Sequence, residues 1–128
     1  MKRICPIDRA VGLKYAAGRP ELYDRVLVRF RDLHRCDDVT LARALAAEDR
    51  ATAQRLLHSL KGVAAMIGAL ELRDEASRLE SRYLAGATHA DVAHDLDALA
   101  TYLKDVAAEI DVLRAELQRE QEELGGRH

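Results

Sequence analysis

The chain has 128 residues, a formal net charge of −2 at pH 7, 48% hydrophobic residues, one Phe and no Trp. That length allows one domain with a real core and is short for two, and the composition fits a helical bundle packed by aliphatic side chains. Acids and bases are interspersed, so no broad polycation is offered to nucleic acid, and no apolar run approaches the length of a membrane span. The basic start Met1-Lys2-Arg3 leads into Cys5-Pro6-Ile7-Asp8, where a signal peptide would need its apolar core. Two cysteines, Cys5 and Cys36, are too few for a disulfide framework, so a cytoplasmic location is expected.

Asp8 suits the N-cap of a short first helix running through Ala17, with Gly18 as its stop. Pro20 fits the first position of a second helix, to which Leu22, Tyr23, Val26, Leu27, Phe30 and Leu33 give one apolar face. The pattern relaxes around Arg35-Cys36-Asp37-Asp38 and resumes with Leu41, Ala44 and Leu45, which leaves open one bent helix or two pieces. A further helix is expected from near Asp49 to Ile67, with Gly68 adopting the left-handed conformation of a tight exit. The next helix, antiparallel to it, carries Leu72, Ala76, Leu79 and Tyr83 at 4-3-4 spacing; Gly86 closes it, and Thr88 to Ala90 turn into the last helix.

In that last helix Val92, Leu96, Leu99, Leu103, Val106, Ile110, Leu113 and Leu117 keep an unbroken 4-3 alternation, the seam of a left-handed bundle. Its surplus length, from about Val112 to Leu124, is highly charged and is expected to be a solvated helix end, followed by a frayed tail Gly125-Gly126-Arg127-His128. The predicted architecture is all-α, an antiparallel four-helix bundle with a short N-terminal capping helix and an extended C-terminal helix. It would form a single domain over residues 1–128, with a core over about 7–113 and a charged extension over about 114–124.

Read at roughly 100° per residue, the helix before Gly68 has two faces. Ala53, Leu56, Leu57, Leu60, Val63, Ala64 and Ile67 line one; Ala51, Gln54, Arg55, His58, Lys61, Gly62 and Ala65 line the other. A glycine inside a helix costs about 1 kcal/mol relative to alanine; here Gly62 leaves bare backbone one turn from the imidazole. Lys61 supplies a flexible point charge suited to a phosphoryl group. On pattern alone an exposed helical histidine is most often a solvated residue, and the neighbours Lys61 and Gly62 set a phosphate-carrying histidine beside that reading.

The run His58-Ser59-Leu60-Lys61-Gly62, followed by Ile67-Gly68-Ala69, then Leu72, Ala76 and Leu79-Glu80, resembles the signature of histidine-containing phosphotransfer (HPt) domains. Ile7-Asp8, Gly12-Leu13 and Glu21-Leu22-Tyr23 through Phe30 also resemble that family, so the similarity spans roughly residues 7–113. The resemblance implies a phosphoryl carrier of two-component signalling. His58 would accept the group from a phosphoaspartate on one receiver domain and yield it to a second, and Lys61 would stabilise it. Gln54, Arg55, Gly62, Ala65 and Glu80 would form the receiver-docking surface. The receivers would belong to response regulators or a hybrid sensor kinase and bring Mg²⁺, while this chain binds no cofactor. Glu80 stands where the family often has Gln; an ionised carboxylate only accepts hydrogen bonds, so it either orients the ring or points to solvent.

Other chemistries lack their residues. His89 and His94 diverge on a helix, His34 and Cys36 are a lone pair of ligands, and no His-Glu-x-x-His, Gly-x-Ser-x-Gly or P-loop stretch occurs. The glycine-rich boxes of a histidine kinase are missing too, so no kinase or ATPase activity is expected. Two further readings stand beside the relay. The phosphoacceptor domain of chemotaxis kinases shares the His-Ser-x-Lys-Gly core, but its usual glycine-rich continuation is replaced by Val63-Ala64-Ala65-Met66-Ile67. A helical adaptor or dimerisation module would treat His58 as incidental.

Overall fold

Asp8 starts the first helix as its sequence suggests, its side chain accepting a hydrogen bond from the Val11 amide. The computed structural model describes residues 6–125; the expectations for the Met1-Lys2-Arg3 start, for Cys5 and for the tail beyond Gly125 lie outside the described residues. Seven helices follow in order among them: α1 (Arg9–Tyr15), α2 (Pro20–His34), α3 (Asp37–Ala46), α4 (Arg50–Ile67), α5 (Leu70–Leu84), α6 (His89–His94) and α7 (Leu96–Gly125). The fold is all-helical. Helix α2 packs on α4 and α7, and α5 also packs on α4 and α7, so these four enclose the core. Helix α1 lies against α4 and α2, and α3 against α4, α6 and α7. No described helix is long and apolar enough to cross a membrane.

The question left open at Arg35-Cys36 is answered by two helices. Their junction is spanned by His34, whose Nδ1 lies 2.8 Å from Asp37 Oδ2. Leu33, expected on the apolar face, is instead exposed. The buried row of α2 runs Tyr23, Leu27, Phe30 at 4-3 spacing; one more step of four lands on His34, whose ring stacks at a tilt on Phe30 with centroids 5.3 Å apart. Leu33 is thereby rotated out of the row.

The last helix also departs from expectation. Its seam is interrupted at Asp95, which separates α6 from α7, although Val92 and Leu99 are both fully buried. Thr88 and Asp91 form a reciprocal capping box that starts α6. The Asp95 carboxylate faces Arg82 and Arg78 of α5, and an aspartate that bonds elsewhere is a poor helix-interior residue. Nor is the charged extension a wholly solvated end, because Leu113 and Leu117 are buried. Arg9 of α1 reaches Glu116 and Glu120, and Arg114 Nε donates to Asp24 of α2 at 3.0 Å. The packed core therefore continues one heptad step past Ile110, to Leu117, and Gly125 is still helical.

Helix α4 is held at both ends. Asp49 caps its start, accepting from the Thr52 amide, and Arg50 donates to the Tyr83 carbonyl at 2.9 Å while lying 4.1 Å from the centre of the Tyr83 ring. At the other end Gly68 closes the helix at φ +86°. The Asp8 amide donates to the Gly68 carbonyl, and the Tyr23 hydroxyl to the Ile67 carbonyl, both at 2.8 Å. Gly12 makes this docking possible, since a Cβ there would collide with the Tyr23 ring and the Ile67 carbonyl oxygen. Truncating Leu117 to Ala should cost about 2–5 kcal/mol, whereas Leu124→Ala, on the exposed end of α7, should stay within about 0.5 kcal/mol. Urea denaturation of the two variants checks where the packing ends.

Candidate functional site

The two faces read from the sequence of α4 are the two faces found. Ala53, Leu57, Leu60, Ala64 and Ile67 are buried, with Leu56 and Val63 half-buried beside them. His58 stands on the opposite side with its side chain 74% exposed. Helix α5 is buried along Leu72, Ala76, Leu79 and Tyr83. Glu80 follows Leu79 directly and so sits at the edge of this seam, turned toward α4.

There it meets the histidine. Glu80 Oε2 lies 3.0 Å from His58 Nδ1, and Lys61 Nζ donates to Glu80 Oε1 at 2.7 Å. One carboxylate thus holds two neighbours of α4 through its two oxygens. The Glu80 side chain is only 11% exposed and that of Lys61 32%, so the pair lies at the foot of an imidazole that projects into solvent. Burial pushes the Glu80 carboxyl up, but the hydrogen bonds from Lys61 and His58, together with their charges, outweigh it and hold the group below its ordinary value. Glu80 is therefore ionised at neutral pH. An ionised carboxylate can only accept, which requires Nδ1 to carry a proton, so in the neutral imidazole Nε2 is the nitrogen with the free lone pair. The two positions left open for Glu80 reduce to the one in which it touches the ring.

The other sequence-predicted site residues share this surface without joining the trio. Arg55 is exposed and its guanidinium turns to the Thr52 hydroxyl at 3.4 Å. Gln54 and Ala65 are half-buried, and Gly62 is exposed. A Cβ built at Gly62 would have no heavy atom within 4 Å, so the glycine is not demanded by packing inside this chain. The backbone there is open.

One feature of this surface escaped the sequence reading. Between α2 and α4 lies an apolar groove of about 350 Å³, lined by Val26, Phe30, Leu33, Val63, Met66 and Ile67 with Arg29 and His34 at its polar edge. Exposed Met66 lies one turn beyond Gly62, so the groove adjoins the cleared ground beside His58. Its sequence signal was Leu33, which falls off the 4-3 row of α2, together with Met66 at the margin of the apolar stripe of α4. The remaining histidines with side-chain partners are engaged elsewhere: His34 with Asp37, and His89 Nδ1 with the Tyr83 hydroxyl at 2.6 Å. No group of three or more His, Cys, Asp or Glu residues suited to a metal ion occurs among the described residues.

Two comparisons with known proteins bear on this site. No curated protein matches the chain significantly in sequence. The family model described as the Hpt domain matches residues 25–123, which takes in α3 to α6, nearly all of α7 and most of α2, and includes His58, Lys61 and Glu80. An all-helical chain that presents an exposed histidine from a clamped helix, and matches that family over most of its length, belongs to the Hpt domain family, whose role is histidine phosphotransfer in phosphorelays.

Proposed function

We propose that His58 is the phosphoacceptor and that the chain relays a phosphoryl group between aspartate-bearing receiver domains in the cytoplasm. The observation that carries this reading is the pairing of Nδ1 with Glu80, which leaves Nε2 as the outward-facing nucleophile. Attack by the Nε2 lone pair on a phosphoaspartate forms the N–P bond as the P–O bond breaks, and the electron pair leaves on the aspartate carboxylate. Nδ1 keeps its proton, so the ring becomes cationic above the Glu80 carboxylate. The reverse attack, by a second receiver's aspartate, returns the lone pair to Nε2. Phosphoryl transfer needs positioning and charge stabilisation more than covalent assistance from the protein, which suits a site this sparse.

Lys61 supplies the positive charge that attracts phosphoryl oxygens once it turns from Glu80, and the receiver contributes Mg²⁺ and the acidic pocket. Gln54, Arg55, Gly62 and Ala65 form the docking ground around the ring, extended by the apolar groove beyond Met66. The receivers would be those of response regulators or of a hybrid sensor kinase.

His58→Gln should abolish phosphate acceptance and leave the melting temperature within a few degrees of wild type, because the side chain is largely solvated; radiolabel transfer from a panel of phosphorylated receivers measures the first and calorimetry the second. An adaptor would lose neither partner binding nor activity in that variant. Gly62→Ala should fold and gain up to about 1 kcal/mol in helix propensity. Gly62→Leu should also fold but transfer at least about tenfold more slowly, as expected when a misfit displaces reacting atoms by an ångström or so. Equal rates in the alanine and leucine variants would show that no partner backbone comes close there.

Glu80 supplies a pH test whose sign follows from its lowered pKa. Its contribution to stability is present above the ordinary carboxylate value of about 4.5 and is lost as pH falls through the lower native value. Wild type should therefore lose stability relative to Glu80→Gln below about pH 4.5. Parallel urea titrations of the two proteins between neutral and acid pH would reveal it.

A further inference from the structure

We infer that Glu80 sets the lifetime of the phosphorylated state by competing with the phosphoryl group for Lys61. This deepens the reading of His58 as phosphoacceptor and rests on it. In the unphosphorylated protein the lysine is not idle, because its ammonium is bound to Glu80 Oε1 at 2.7 Å while the other carboxylate oxygen holds Nδ1. A phosphoryl group on Nε2 lies on the far side of the ring from Glu80. For Lys61 to reach that group it must leave Oε1.

Leaving is resisted. Glu80 is nearly buried, so solvent cannot replace the lost donor freely, and Oε1 would be left without its partner although Oε2 keeps the Nδ1–H of His58. Among the described residues this carboxylate pairs with His58 and Lys61, and no second lysine or arginine is bonded to it. What the phosphoryl gains from Lys61, Glu80 therefore loses. The lysine stem is flexible enough to move between them, and its half-buried position allows both arrangements. With a neutral amide at position 80 the lysine would be held more weakly and would be available to the phosphoryl oxygens. Glu80 consequently gives this chain a phosphohistidine that is quickly given up, the property of a transit point and not of a store.

The test needs no cognate receiver. Phosphoramidate transfers its phosphoryl group to Nε2, the P–N bond to its nitrogen breaking and ammonia leaving. Hydrolysis then follows, in which water attacks phosphorus and the Nε2 electron pair returns to the ring, releasing inorganic phosphate. The decay is read by ³¹P NMR for wild type, Glu80→Gln, Lys61→Ala and the double variant, each checked for fold by circular dichroism. Glu80→Gln should prolong the phosphohistidine at least about threefold. Lys61→Ala should erase that gain when combined with Glu80→Gln, and should shorten the lifetime at least about threefold more in the Glu80→Gln background than in wild type, the non-additivity expected of side chains that share a partner. Lys61→Ala shortening the lifetime equally with and without Glu80→Gln would overturn the competition while leaving His58 as acceptor. Failure of wild type to take up any phosphoryl group at His58 would overturn the acceptor reading and this inference together.

Discussion

The packing of α4 against α5 is the constraint on which the site depends. It is the most extensive helix contact among the described residues, and the fully buried alanines Ala64 and Ala76 keep side-chain bulk on these helices low. A histidine on the outer face of a lone helix would be a mobile solvated group. Here its helix is fixed at the start by Asp49 and Arg50, along one side by the leucine rows, and at the end by the Gly68 carbonyl and the Tyr23 hydroxyl. The Asp49 cap and the bonds to the Ile67 and Gly68 carbonyls satisfy polar groups that a helix end leaves unpaired. The result is a rigid platform under the imidazole.

That rigidity is what allows a carboxylate at the margin of the core. Glu80 would be costly as an isolated buried charge, yet two donors from the facing helix reach its two oxygens and keep it ionised. One of those bonds, to Nδ1, orients the imidazole, and the other holds the carboxylate in place. A charge that stabilises a fold poorly can specify a geometry well, and here the geometry is which ring nitrogen faces outward. In the proposed relay the outward ring nitrogen attacks phosphorus, and Lys61 is the cation that meets the phosphoryl oxygens.

The periphery shows how local chemistry overrides a repeating pattern. The leucine seam of the C-terminal segment is continuous in sequence from Val92 to Leu117, but Asp95 and the capping box at Thr88 and Asp91 divide it into two helices without exposing the apolar row. At the far end, Arg9 with Glu116 and Glu120, and Arg114 with Asp24, show that charges read as solvated can instead border buried leucines. Such partly exposed pairs add little energy individually, and the burial of Leu113 and Leu117 is the larger effect.

Much of the molecule was legible in the chain itself. Period-3.6 patterning, the Asp8 and Asp49 caps, Pro20 and Gly68 are local signals, because helix formation and termination depend on residues within a turn or two. The two faces of α4 and the exposure of His58 follow from the same periodicity, and the resemblance to phosphotransfer domains rested on motif residues that lie close together. Tertiary structure alone decided what depends on partners distant in sequence. Whether Glu80 touches a ring 22 positions away, whether Lys61 is already occupied, whether Leu117 is covered, and whether Leu33 or His34 turns inward are all matters of how helices cross. Sequence spacing defines which side of a helix a residue occupies; only packing defines what stands opposite it.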